Sequence, residues 1–254
     1  METNLGYARL DGIPYIAIGS WNTQHFAADD FDSILERFRA EPSLILDVRP
    51  NGGGNDPLAL LIAARFAAAP VLFESVQFRN GPGHDNFGPR QNRNLEGRGP
   101  WRYEGQVYLL TGRGVFSSNE TFVAAMRELP DVTVVGDTTG GGSANPASYP
   151  LGDGWQYTVS RWIARTADDI IIEGNGIPPD LFVAATAADF TDGRDPVLER
   201  AIALAMRTRS PAEELQLGFL TVRSAVSPSA VTRPGRRGWP GGREASRRTR
   251  RRAG

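Results

Sequence analysis

The chain has 254 residues, 40% of them hydrophobic, enough for one large domain or two small ones with a sizeable core. It has no cysteine, and all 28 basic residues are arginine, which excludes disulfides, thiol catalysis, thiolate metal sites and any lysine base or Schiff base. No run of about 18 apolar residues predicts a membrane span; the net charge of −1 is uneven, because Arg223 to Gly254 holds ten Arg against one Glu and carries +9, leaving −10 elsewhere.

Met1 to Gly6 lacks the positive and apolar regions of a signal peptide. Ala8 to Asp11 reads as strand and turn, and Ile13 to Ser20 alternates as a second strand. Ala28 to Ala40 reads as a helix, with Phe31, Ile34, Leu35 and Phe38 on one face and Pro42 ending it. Leu44 to Val48, apolar except for Asp47, predicts a buried strand of the parallel type. It runs directly into Asn51-Gly-Gly-Gly54. Glycines at a strand end permit positive φ and let several backbone N–H groups aim at one point. Such a nest holds an anion: a phosphate, a carboxylate or a developing oxyanion. A plain glycine-rich turn is the alternative, and the spacing matches no nucleotide-binding loop. Pro57 to Ala69 reads as a helix with Asp56 as its N-cap.

Val71 to Phe78 predicts a strand, and Arg79 to Gly99 a long polar loop. Gln106 to Thr111 is a buried strand that turns through Gly112 to Ser117 into a helix over Ser118 to Leu129. Val132 to Gly136 is the next strand, followed by the glycine-rich Thr138 to Ser143. Gln156 to Trp162 and Ile170 to Glu173 look like the arms of a hairpin. Gly176 to Asp180 reads as a rigid turn, Leu181 to Ala184 as a short exit strand, and Asp195 caps a last helix through Arg207. Strands alternating with helices predict a parallel sheet with right-handed crossovers. The pattern fades after about Ser210, so residues 1–209 read as the core domain and 210–254 as a disordered Arg/Gly/Pro-rich tail. A basic tail suits nucleic acid or an acidic surface; the core carries no signal for nucleic acid.

Few residues are placed to do chemistry. Ser117-Ser-Asn-Glu120 stands where a strand turns into a helix. Ser-x-x-Glu before an apolar run fits a capping box. It also fits a nucleophile at a helix N-terminus, where free N–H groups stabilise negative charge. Glu173 ends an apolar run and is either an exposed strand-end charge or an orienting carboxylate. His25 and His84 are the two histidines, both in loops. If Ser117 takes an imidazole base from this chain, one of them supplies it. Two separated histidines without HExxH predict no metal site, and no cofactor is expected.

Together these stretches resemble the tail-specific (C-terminal processing) protease family, including its tricorn core branch. The resemblance is carried by Leu44 to Gly54, Ser117 to Phe122, Val135 to Gly140, Glu173 to Asp180 and Asp195 to Ala201, in the family's order. It implies an α/β fold of the Clp protease/crotonase type, a spiral of ββα units around a mostly parallel sheet. It also implies a serine endopeptidase acting on a peptide or protein substrate. Ser117 would be the nucleophile, the Gly53 and Ser118 amides the oxyanion hole, and Glu173 a helper to the base. The processing branch has a catalytic lysine where this chain has Gly141. The tricorn-like branch takes its histidine from a segment upstream, so an N-terminal cap and a PDZ module are expected to be absent here. Two alternatives stand beside the peptidase: a catalytically silent module binding an apolar ligand or peptide, and a crotonase-like acyl-CoA enzyme. Compartment and oligomeric state have no signal in the sequence.

Overall fold

The computed structural model describes residues 4–208; the expected tail over 210–254 lies outside the described residues. The central sheet grows around β3 (Ser43–Asp47), in which every residue is buried. On one side of it lie β2 (Ile13–Ile18) and β1 (Leu5–Leu10). On the other lie β6 (Gln106–Thr111), β7 (Val132–Gly136) and the two-residue β11 (Leu181–Phe182). The spatial order is β1-β2-β3-β6-β7-β11. Only β1 and β2 pair antiparallel in it; the other four pairings are parallel.

The apolar run of β3 is unbroken because both faces of the sheet are covered. Leu44, Leu46 and Val48 join one core, with Ile16 and Ile18, and with α1 (Ala28–Arg37), α2 (Asp56–Ala63) and α3 (Ser118–Arg127). Ile45 points the other way, to a second core with Ile13, Leu110 and Val135 under Val197, Ala201 and Ala205 of α5 (Pro196–Thr208). Alternation with period two along the strand thus sorts one sequence into two cores. No helix among the described residues is long and apolar enough to cross a membrane.

Several expectations are corrected in detail. The polar stretch after Phe78 is not all loop: β5 (Gln91–Leu95) pairs antiparallel with β4 (Val71–Phe78), as an edge strand in which only Leu95 is buried. The expected pairing of 156–162 with 170–173 does not form. Instead β8 (Ala147–Gly152) pairs with β9 (Trp155–Val159), while β10 (Trp162–Thr166) pairs with β4. The cause is Asp153-Gly154, whose φ angles of 49° and 82° make the tight turn that right-twisted strands prefer. Asn55, not Asp56, caps α2, through a bond from the Leu58 amide to Asn55 Oδ1 at 2.9 Å. A short helix α4 (Ala187–Thr191), capped by Thr186, was not expected.

Candidate active site

The carboxyl end of β3 is fixed before it reaches the glycines. Arg49 leaves the strand, turns back onto Asp47 through Nε at 3.0 Å and Nη2 at 2.7 Å, and reaches Asp195 with Nη1 and Nη2, both at 2.8 Å. Tyr15 adds a bond to Asp47 Oδ2 at 2.8 Å. Asp195 also accepts from the Leu198 amide at 3.1 Å, so its expected helix-capping role holds and is shared with Arg49.

The glycine turn then meets the start of α3. Ser117 stands at φ 55° and ψ −130°, a backbone conformation that side-chain-bearing residues rarely adopt. Such strain costs on the order of 1–3 kcal/mol and persists only where its surroundings enforce it. Here the Ser117 amide donates to the Gly142 carbonyl at 3.0 Å, and the Ser117 carbonyl accepts from the Glu120 and Thr121 amides at 2.7 and 3.2 Å. The capping-box reading fails, because the Ser117 hydroxyl makes no capping bond. The Glu120 carboxylate instead accepts from Thr139 Oγ1 at 2.6 Å and from the Gly141 and Gly142 amides, both at 2.8 Å. Burial pushes the Glu120 carboxyl above the usual range, against the pull of those donors. A sharp turn that leaves a serine hydroxyl free at the head of a helix is the geometry by which hydrolases present a nucleophile.

Hydrogen bonds tie this helix to the glycine turn, to the residue just past β3 and to Trp21. The Ser118 hydroxyl donates to the Gly54 carbonyl at 2.8 Å. Asn119 Nδ2 donates to the Val48 and Asn51 carbonyls at 2.9 and 2.8 Å, and its Oδ1 accepts from Trp21 Nε1 at 3.1 Å. Asn119 is fully buried and was not singled out from the sequence. An asparagine in the first turn of a helix that continues into the apolar run Phe122 to Met126 was the available signal, since a buried amide must have partners. Gly53 itself is pressed on Ser117: a Cβ added there would lie 2.8 Å from Ser117 Cβ.

The two amides expected for the oxyanion hole differ. The Ser118 amide, first in the helix, donates to no group among the described residues. The Gly53 amide donates to Asn51 Oδ1 at 2.8 Å. Ser117, Ser118 and Gly54 line a cleft of about 230 Å³ whose other walls include Asp56, Thr121, Ser143, Asn145 and Trp162.

The remaining candidates lie apart. Glu173 is exposed and accepts from Ser160 Oγ at 3.3 Å. The turn that follows it is tied to the Ser117 loop, since the Gly174 amide donates to the Gly141 carbonyl at 2.8 Å. His25 and His84 are exposed, and neither lines the cleft. Gly141, at the lysine position of the processing branch, has φ 77°, and a Cβ on it would lie 2.9 Å from the Gly176 amide nitrogen.

Comparison with known proteins agrees with this architecture. Carboxy-terminal processing protease CtpB of Bacillus subtilis is 26% identical over 174 residues, covering 67% of this chain and 34% of that protein. CtpA of the same organism is 28% identical over 185 residues, covering 71% of this chain and 37% of that protein. The chain therefore spans about a third of the length of these relatives. Among solved structures, a protein from Parabacteroides merdae superposes with a TM-score of 0.73 at 36% identity, over 81% of this chain and 65% of that one. The tricorn protease shares the fold, with a TM-score of 0.55 at 23% identity over 79% of this chain and 18% of its own. The profile of Peptidase family S41 matches residues 12–183, from the β1–β2 turn to just past β11, and the chain belongs to that family, the tail-specific (C-terminal processing) proteases.

Proposed function

We propose that this chain is the core of a serine endopeptidase in which Ser117 attacks the carbonyl carbon of a peptide bond. The observation that carries the reading is the strained Ser117 backbone, packed on Gly53 and followed by the free amide of Ser118. On attack, the Ser117 hydroxyl passes its proton to a base and the carbonyl oxygen becomes an oxyanion. The Ser118 amide and a glycine-turn amide receive that oxyanion, and loss of one such donor costs about 3–4 kcal/mol of transition-state stabilisation. For Gly53 to be the second donor, Asn51 Oδ1 must yield. A charged acceptor can displace it, because hydrogen bonds to an ionised oxygen are about twice as strong as neutral ones. The leaving amine takes the proton back, and water then hydrolyses the acyl-serine. Neither His25 nor His84 lines the cleft, and the family resemblance gives Glu173 the task of orienting the base. Peptides or proteins are the substrates.

The test is labelling by a fluorophosphonate, which reacts with activated serine hydroxyls. Adduct formation that disappears in Ser117→Ala supports the peptidase. A protein that takes no label yet binds an apolar ligand is instead a silent binding module, and tight binding of CoA thioesters points to an acyl-CoA enzyme. The polar walls of the cleft, Asp56, Thr121, Ser143 and Asn145, favour the peptidase over the apolar-ligand module.

A further inference from the structure

Among the side chains lining the cleft at Ser117, Asp56 alone is charged. It is the first residue of α2, where the helix dipole favours a negative charge. Its Oδ2 is held by Arg93 Nη2 at 2.6 Å. The other arm of the same guanidinium, Nη1, is engaged by Glu74 Oε2 at 2.5 Å. Glu74 is fully buried on β4, and its Oε1 has no hydrogen-bond partner among the described residues. Two carboxylates therefore share one guanidinium, which leaves one negative charge in excess when both are ionised. Glu74 is sealed off from solvent, whereas Asp56 keeps 28% of its side chain exposed and forms part of the cleft wall. Trp162 stands in the same wall, held by a bond from its Nε1 to the Ser143 carbonyl at 2.6 Å. Its ring already lies 5.8 Å from the Arg93 guanidinium carbon, and an indole face attracts a cation while covering the alkyl stem that carries it.

We propose that the cleft beside Ser117 is the pocket for the substrate side chain next to the cleaved bond, and that Asp56 makes it select a basic side chain, lysine or arginine. This rests on the peptidase reading and deepens it by naming the substrate class. The excess negative charge supplies the attraction, Trp162 covers the methylenes, and the Thr121 hydroxyl completes a polar wall. Arg93 does not cancel the selection when Glu74 is ionised, because its single positive charge is then balanced by Glu74 and the charge of Asp56 remains.

The experiment measures equilibrium binding of dipeptidyl boronic acids to the full chain at pH 8, by calorimetry. Such acids form a reversible bond to a serine hydroxyl. The boron-bearing residue is lysine in one compound and norleucine, its uncharged counterpart, in the other. The expected result is at least tenfold tighter binding of the lysine compound. Asp56→Asn brings that ratio to about one, and Asp56→Glu, which keeps the charge, restores a preference for lysine. Equal binding of the two compounds by the native chain, with both lost in Ser117→Ala, overturns the assignment of Asp56 and leaves the peptidase reading intact. No binding of either compound, or binding unaffected by Ser117→Ala, overturns both.

Discussion

Gly53 and Ser117, far apart in sequence, touch so closely that a methyl group on Gly53 would stand 2.8 Å from Ser117 Cβ and 2.9 Å from the Phe116 carbonyl oxygen. The contact makes glycine obligatory twice, once for space and once for a φ of 112°. Gly53→Ala must push Ser117 away or distort the turn. The expected result is a drop of at least ~100-fold in fluorophosphonate labelling of Ser117, since displacing a reacting group by about 1 Å costs that much. Thermal stability should fall by a more modest 1–3 kcal/mol or so. Labelling rates and melting curves measured on one preparation separate the two; unchanged labelling would refute the placement.

Asn119 holds the same junction from beneath. Its amide serves two carbonyls of the β3 exit and the Trp21 indole, all buried. Asn119→Ala takes those partners from the Asn51 carbonyl and the Trp21 indole, while the Val48 carbonyl keeps the Asn51 amide, and is expected to destabilise the fold by on the order of 3 kcal/mol. Asn119→Asp should be as damaging or worse, because a carboxylate would then face the Val48 and Asn51 carbonyls. Denaturant unfolding of both variants decides the matter, and a loss below about 1 kcal/mol in both would show that the junction is held by other contacts.

The central strands of this fold were legible because both faces of the main sheet are covered, so β3, β6 and β7 appear as largely apolar runs whose limits fall within a residue of those observed. What lay at the sheet edges was not. The strand Gln91–Leu95 has a single buried residue, and its pairing depends on β4 rather than on its own composition. Asp153-Gly154 announces the β8–β9 hairpin, but both of its strands are exposed nearly throughout, so no buried face marks them in the sequence. In the candidate site, the glycine turn and the strand-to-helix turn at Ser117 were readable from local spacing, and the nucleophile role of Ser117 is what the family resemblance implies. The roles of Asn119 and Glu120 were not, since each bonds to chain segments distant in sequence.

Gly141 bears on whether a lysine can be put back. Its φ of 77° is strained for any side chain, and its Cβ direction meets the Gly176 and Asn175 amide nitrogens at 2.9 and 3.1 Å. A lysine there would run into the Gly174–Gly176 turn and disturb the loop that Glu120 holds. Gly141→Lys is therefore expected to lower stability and to leave labelling of Ser117 no faster at any pH from about 7 up to about 11, by which point a lysine near its ordinary pKa of about 10.4 has largely lost its proton. A rise in labelling across that range would mean that the loop can rearrange to present a base.

Glu74 gives the stability of the protein a pH dependence that one substitution can isolate. Burial is the main cause that raises its carboxyl from 4.5 to about 7; Asp56 adds to the rise and Arg93 opposes it. Between those two values the folded chain holds a proton that the unfolded chain has released. Stability from this group is therefore fully present below about pH 4.5, declines as pH rises, and levels off above about 7. Glu74→Gln is uncharged at every pH and keeps an oxygen to accept from Arg93, whose other arm remains on Asp56. Compared with the native chain, the variant should gain stability steadily from pH 4.5 to 7 and be at least as stable at pH 8. Denaturation midpoints taken at half-unit intervals across that window check this. A variant that instead loses ground as pH rises would show that the Arg93 ion pair outweighs burial and that Glu74 is ionised throughout.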